Sequence, residues 1–358
     1  MRNALKRLLF LIVSTSLLGC TALDEHHKFA FVLEQEDVNA SWPYGHEIAH
    51  YIYLGDIIGE QNLLQEQQKQ QSALQKFWRF VIGESEQAPV ELKRPQSIAV
   101  NTDGRIYITD VANQSVFVFD QKQGSLAQWP SAKEHVKFVS PIGISLGKDN
   151  EILVSDSELG KVFRLDASTG MPNGVLAAES LKRPTGVTFD QASNNIYVVD
   201  TQTHDIKVFS LDGALLYTLG KRGNGEGDFN GPTFIAKHPD GLLIADTLAA
   251  RVQLIEDQQG QLKFLKSFAQ RGMRLGDVMR PKGVASDSDG NVYIIESYFD
   301  HMLVYNRQGQ FLMPLGGTGQ GPGQFYLPSG IWVDQQDRIY VVDMMNGRVS
   351  VFQFLGGK

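Results

Sequence analysis

One pattern recurs six times along this chain and predicts an all-β fold, a six-bladed β-propeller. Each copy reads as a proline, a short apolar run, a turn rich in Asp, Asn and Gly, a second apolar run ending in an acid, and a third apolar run. The copies begin at Pro95, Pro141, Pro184, Pro232, Pro281 and Pro328, spaced by 43 to 49 residues, the length of one four-stranded blade. The closing acids are Asp110, Asp156, Asp200, Asp246, Glu296 and Asp343, always 14 to 16 residues after the proline.

The stretch ahead of the repeats has a different character. Arg2, Lys6 and Arg7 supply a positive start, and Leu8 to Val13 a short apolar core that is too short to span a bilayer. Leu17-Leu18-Gly19-Cys20 follows and resembles the bacterial lipobox, in which a peptidase cuts before a cysteine that becomes lipidated. Residues 1-19 are therefore expected to be a lipoprotein signal peptide, 20-40 a tether and 41-358 the propeller. Cys20 is the only cysteine, so it has no internal disulfide partner, and it is the expected acyl attachment point to a membrane. Thr21 in place of an aspartate implies, by resemblance to lipoprotein sorting rules, the outer membrane of a two-membrane cell envelope.

Two elements are expected between the tether and the first repeat. The sixth copy runs only to Phe354-Leu355-Gly356, without a fourth strand, and an open ring would expose an unpaired edge. Tyr51-Ile52-Tyr53-Leu54-Gly55-Asp56 matches the internal fourth strand Leu216-Tyr217-Thr218-Leu219-Gly220-Lys221, so a strand over about 48-55 is expected to close the ring. After it, Leu74, Phe77, Trp78 and Val81 recur at helical spacing, and a helical insertion over about 60-83 is expected, ending near Gly83.

The repeats themselves, over about 93-355, show strand and turn chemistry most plainly in the last copy. Ile331-Trp332-Val333, Ile339-Tyr340-Val341-Val342 and Arg348 to Phe352 are β-branched and aromatic runs bounded by Gly, Asp and Asn. Near-continuous apolar runs in the first two strands mean burial on both faces, between neighbouring sheets. These residues also carry a resemblance. Pro-x-Gly-Ile/Val-x-Val, Ile-Tyr-Val-Val-Asp, Asn-x-Arg-Val-x-Val-Phe and Gly317-Thr318-Gly319-Gln320-Gly321-Pro322-Gly323-Gln324-Phe325 are similar to the NHL-repeat family. Blades two and five depart from it, with Ser155-Asp156-Ser157 in one and Glu296 in the other.

Several groups bear on chemistry. His46-Glu47-Ile48-Ala49-His50 is a literal HExxH, but the closing strand is expected to start within it. Residues four apart in an extended strand stand about 13 Å apart, which prevents shared zinc ligation, so the motif is read as coincidental. The resemblance offers two enzymatic precedents. An amidoglycolate lyase of NHL type places zinc-binding histidines directly after the repeat prolines, where this chain has Gln96, Ile142, Thr185, Thr233, Lys282 and Ser329. Lactonase-type propellers converge acids on calcium in the channel, and these positions hold no carboxylate. The repeated acids that end the second strands read as turn caps.

The expected binding face is the one carrying the post-proline residues and the second-to-third-strand loops. Those loops hold Leu159, Leu248, Tyr298-Phe299 and Met344-Met345, with Arg94, Arg183, Arg222, Arg271, Arg274, Arg280 and Lys282 around them. The formal net charge of −7 argues against a nucleic-acid partner. The expectation is a non-enzymatic envelope lipoprotein, without a cofactor, whose propeller binds a protein, peptide or glycan. The alternative is a hydrolase or lyase with a metal site in the channel mouth.

Overall fold

A computed structural model describes residues 28–29, 40–43, 49–64, 89–176 and 178–356. Six antiparallel sheets surround a central channel, and blades 1 to 5 run outward in chain order. Blade 1 consists of Pro95–Val100, Ile106–Asp110, Ser115–Asp120 and Ser125–Trp129. Blades 2 to 5 repeat the order from inner strands Pro141–Leu146, Pro184–Asp190, Pro232–His238 and Pro281–Ser286. Blade 6 contributes Ile331–Val333, Arg338–Asp343 and Arg348–Phe354. Each inner strand packs against the next, and that of blade 6 meets that of blade 1, so the ring is closed.

The fourth strand of blade 6 comes from the N-terminal side. Tyr51–Ile57 lies antiparallel to Arg348–Phe354, with Ile57 opposite Val349 and Tyr51 opposite Phe354, and Ser41–Trp42 adds a short fifth strand outside it. It starts at Tyr51, a few residues beyond the expected position near 48. The helix expected from about residue 60 does not begin there. Glu60–Asn62 is a single 3-10 turn, because the Asn62 carboxamide accepts from the backbone N–H groups of Ile58 (2.6 Å) and Gly59 (3.0 Å) and folds the chain back. Leu63–Leu64 then pairs with Lys28–Phe29, a two-residue strand inside the span expected as a tether. Leu74, Phe77, Trp78 and Val81 lie outside the described residues.

Four of the six acids that end the second strands, Asp110, Asp156, Asp200 and Glu296, are turn clamps, and Asp246 and Asp343 hold one backbone N–H and an arginine instead. Asp110 accepts from Lys93 and Arg94 N–H ahead of its proline (2.7 and 3.0 Å) and from Ala112 and Asn113 N–H after it (both 2.9 Å). Asp156 and Asp200 make the same four bonds, and Glu296 holds Met279, Arg280 and Tyr298 N–H. All six are 0–1% exposed, which a carboxylate tolerates when backbone N–H groups or, at Asp246 and Asp343, an arginine occupy its oxygens. Four positions after each acid the chain adopts a left-handed φ: Gln114, Gly160, His204, Ala250, Asp300 and Gly347 lie between 50° and 63°. In blades 1, 2, 3 and 5 the clamp therefore joins the start of the blade to the turn into its third strand.

Pro-x-Gly has a packing cause. A Cβ on Gly143 would lie 2.1 Å from the Thr185 carbonyl oxygen, and one on Gly330 would lie 2.5 Å from that of Gln96. Neighbouring inner strands thus approach backbone to backbone around the channel, which a side chain at this position would prevent. Between the sheets the core is aromatic and aliphatic. Tyr107, Tyr293 and Tyr340 are wholly buried and direct their hydroxyls to the Ala167 carbonyl, Asp287 and Asp334, respectively.

Candidate functional site

The strand order gives the disc two unlike faces. Prolines, second-to-third-strand loops and blade-to-blade connections lie on one, the loop face. First-to-second-strand turns lie on the other, the turn face.

On the loop face, blades 4 to 6 expose Leu248, Met273, Leu275, Tyr298, Tyr326 and Met345, each 45–72% accessible. Leu248, Tyr298 and Met345 cap second-to-third-strand loops, whereas Met273, Leu275 and Tyr326 sit on blade-to-blade connections. Two blade-to-blade connections, those from blade 3 to 4 and from blade 5 to 6, are pinned by an arginine of the blade they lead into. Arg251 donates to the carbonyls of Asn224, Gly225 and Asp228, and Arg348 to those of Gln320, Gly321 and Gln324. His301 replaces that arginine in blade 5. The connection over 270–278, which carries Met273, Arg274 and Leu275, is held instead by the Tyr305 hydroxyl on the Gly276 carbonyl and by Asp277 on Arg274 N–H.

Of the expected face residues, Tyr298, Met345, Arg222 and Arg274 are exposed here, while Phe299 and Met344 are half-buried beside them. The Tyr298 and Phe299 rings meet edge to face at 4.9 Å, which holds Tyr298 upright. The post-proline hydroxyls behave otherwise. Thr185 pairs with Thr201 (2.8 Å), Thr233 with Thr247 (2.7 Å), and Ser329 donates to the Gln96 carbonyl (2.9 Å). All three are under 9% exposed; Ser329 bonds across to blade 1, while Thr185 and Thr233 meet, within their own blades, Thr201 and Thr247, whose hydroxyls donate to the Pro232 and Pro281 carbonyls of the next blade. Gln96 stays half-exposed, and its amide donates to the Arg94 carbonyl at 3.3 Å.

Lys282 differs from its five counterparts. Burial, then the guanidiniums of Arg280 and Arg183, push its ammonium down to about 8. The other expected residues lie elsewhere. Cys20, His46 and Glu47 are outside the described residues, and His50 sits at the strand entry, where its N–H donates to the Trp42 carbonyl at 2.7 Å. Among the described residues, no three His, Cys, Asp or Glu side chains converge on a metal-sized position.

The channel itself opens on the turn face. A cavity of about 840 Å³ is lined by inner-strand residues such as Ile98, Ile144 and Val187, with Phe189, Phe234 and Trp332 as its aromatic wall. Lys148, Asp149, Gln191 and Asn194 stand at its rim. Sequence reasoning placed the site on the loop face and missed this cavity. The available signal was the large aromatic residues within inner strands, where most blades carry Val, Ile or Gly.

Comparison with known proteins agrees with this architecture. Residues 283–358 match a family model described as a 6-bladed beta-propeller, and residues 92–119 match the NHL repeat. The protein brain tumor of Drosophila melanogaster is 31% identical over 137 residues, which cover 37% of this chain and 12% of that protein. Across the curated relatives matched, the aligned part spans 12–31% of their length. Virginiamycin B lyase from Staphylococcus aureus superposes with a TM-score of 0.53 at 14% identity, over 74% of this chain and 96% of that one. A gluconolactonase from Xanthomonas campestris gives 0.55 at 15% identity, over 74% and 89%. At such identities the solved structures speak to fold alone. Six closed blades, the NHL-repeat match over blade 1 and the propeller match over blades 5 and 6 together make the chain a six-bladed β-propeller that carries an NHL repeat.

Proposed function

We propose that the chain is a non-enzymatic binding module, anchored to the cell envelope through a lipid on Cys20, that captures a protein or peptide partner on its loop face. The apolar residues exposed together on blades 4 to 6 carry this reading. Six large apolar side chains on one face of one half of the disc, with Arg271 and Arg274 among them, have the make-up of a contact surface. The six repeated acids support it as well, because backbone N–H groups and arginines occupy their oxygens. The test compares capture of envelope proteins by the wild-type protein and by a Leu248→Asp/Met273→Asp variant. Partners retained by the former and lost by the latter are expected, with unchanged unfolding midpoints. Equal capture by both would refute the assignment.

The turn-face cavity favours a second reading, a propeller acting on a small ligand within the channel, as in lactonase-like and lyase-like propellers. Its volume and its aromatic and polar walls fit a small-molecule pocket. Turnover that is abolished by Trp332→Ala and insensitive to Leu248→Asp/Met273→Asp would support that reading over the first.

A further inference from the structure

We propose that Lys282, Arg183 and Arg280 form an anion-binding site at the loop-face mouth of the channel, taking a small organic ligand with two or more carboxylate or phosphate groups. This inference is independent of the apolar surface on blades 4 to 6.

Its first support is an alternation around the ring. The two residues before the inner-strand proline are Lys93-Arg94, Lys182-Arg183 and Met279-Arg280 in blades 1, 3 and 5. In blades 2, 4 and 6 they are Val139-Ser140, Asn230-Gly231 and Tyr326-Leu327, all uncharged. Cations therefore stand at every second blade on a chain whose net charge is −7. Their backbone is fixed, because Asp110, Asp200 and Glu296 hold the N–H groups of Arg94, Arg183 and Arg280. Their guanidiniums are not consumed by those acids. Among the described residues, Lys93, Arg94, Lys182, Arg183, Arg280 and Lys282 pair with no carboxylate, although Arg105, Arg164, Arg251, Arg338 and Arg348 all do.

The second support is Lys282 itself. It follows Pro281 at the start of the blade 5 inner strand, where it is half-buried. The guanidiniums of Arg280 and Arg183 act on it as like charges, and no acid compensates. A half-buried ammonium near two guanidiniums is unfavourable by itself, and a bound polyanion reverses the sign of each interaction. Two guanidiniums and an ammonium also suit carboxylate and phosphate oxygens, which accept paired N–H donors from arginine. The same lysine depression follows from this geometry, and an anion would raise it again.

The test is calorimetric titration of the full-length protein with citrate and with pyrophosphate, at fixed ionic strength, with acetate as the monovalent comparison. Binding of citrate or pyrophosphate is expected, and whichever is preferred identifies carboxylate or phosphate chemistry. Lys282→Met and the exposed-site variant Arg183→Gln should each weaken it by roughly 10–100-fold, the range of one lost charged hydrogen bond. Lys122→Met, on the exposed turn face, should leave it unchanged. Arg183→Gln alters only an exposed side chain, so it remains informative even if Lys282→Met fails to fold. The proposal is overturned if neither anion binds below millimolar concentration, or if Arg183→Gln retains wild-type affinity. It is overturned equally if an oligoribonucleotide binds while both small anions do not.

Discussion

Arg348 and Asp56 lie 292 positions apart in the chain and form a 2.8 Å ion pair inside blade 6. The same guanidinium donates to Asp343 at 2.9 Å, and the neighbouring Ser350 hydroxyl donates to Asp56 at 2.7 Å. One arginine therefore binds the second strand, the N-terminal closing strand and the preceding connection together. Arg251 has the corresponding role in blade 4, bonded to Asp246 and to its connection, but it joins no distant segment. Removing Arg348 leaves Asp56 and Asp343 without their cation, so Arg348→Met should cost about 3–5 kcal/mol. Hydrogen exchange supplies the distinguishing readout. Amides of Tyr51–Ile57 should lose protection in Arg348→Met and keep it in Arg251→Met.

The backbone contact between blades 6 and 1 makes a second prediction. Gly330→Ala would place a methyl carbon 2.5 Å from the Gln96 carbonyl oxygen and 2.9 Å from Ser97 Cα, and neither belongs to a flexible side chain. A loss of about 1–3 kcal/mol is expected from such overpacking, read as a lower urea midpoint. Gly356→Ala, with nothing within 4 Å, should change stability far less despite its left-handed φ of 82°.

His238 carries the pH prediction. Its ring is buried between blades 4 and 5, where Nδ1 accepts from Asp240 N–H at 3.0 Å, so Nε2 bears the proton and donates to the Gly290 carbonyl at 3.2 Å. Burial outweighs the pull of Asp240 and holds the imidazole below its usual pKa. A base with a lowered folded-state pKa binds its proton more readily once unfolded. Stability from this residue is therefore present above about pH 6.5 and lost as the pH falls, at up to about 1.4 kcal/mol per pH unit. The difference in urea midpoint between wild type and His238→Gln should narrow from pH 7.5 to pH 5.5. A difference independent of pH would show that His238 does not titrate in this way.

Lipidation at Cys20 is tested by labelling cells with radioactive palmitate. Incorporation should be seen in the wild-type chain and lost in Cys20→Ala, which should move from the membrane fraction to the soluble fraction. Label retained by Cys20→Ala would place the acyl group elsewhere.

How far the sequence revealed the molecule depends on the range of the interaction. The blades were legible because strand burial repeats with the residue pattern, and Pro-x-Gly and the terminal acids recur at fixed offsets. The closing strand was legible from its likeness to an internal fourth strand. The left-handed turn residues were not, since only Gly160 and Gly347 of the six are glycines; the buried acid clamp accompanies the same φ at Gln114, His204 and Asp300, and Ala250 adopts it without such a clamp. Thr185, Thr233 and Ser329 looked like channel-lining polar groups. Their roles became visible only with the fold, in which Thr201 and Thr247 of the same blades and the Gln96 carbonyl of the next blade occupy their hydroxyls. The helix start near residue 60 failed for a local reason, the Asn62 side chain turning the chain back on Ile58 and Gly59. The turn-face cavity depends on all six inner strands at once, which no single repeat encodes.

The central claim is that partners meet the loop face of blades 4 to 6. Site-specific photocrosslinking in the native envelope tests it most directly, with the reactive group placed at Tyr298 on that face or at Gln191 on the rim of the turn-face cavity. The account predicts a discrete crosslinked protein from Tyr298 and none from Gln191. Crosslinks from Gln191 alone, or from neither position, would contradict it.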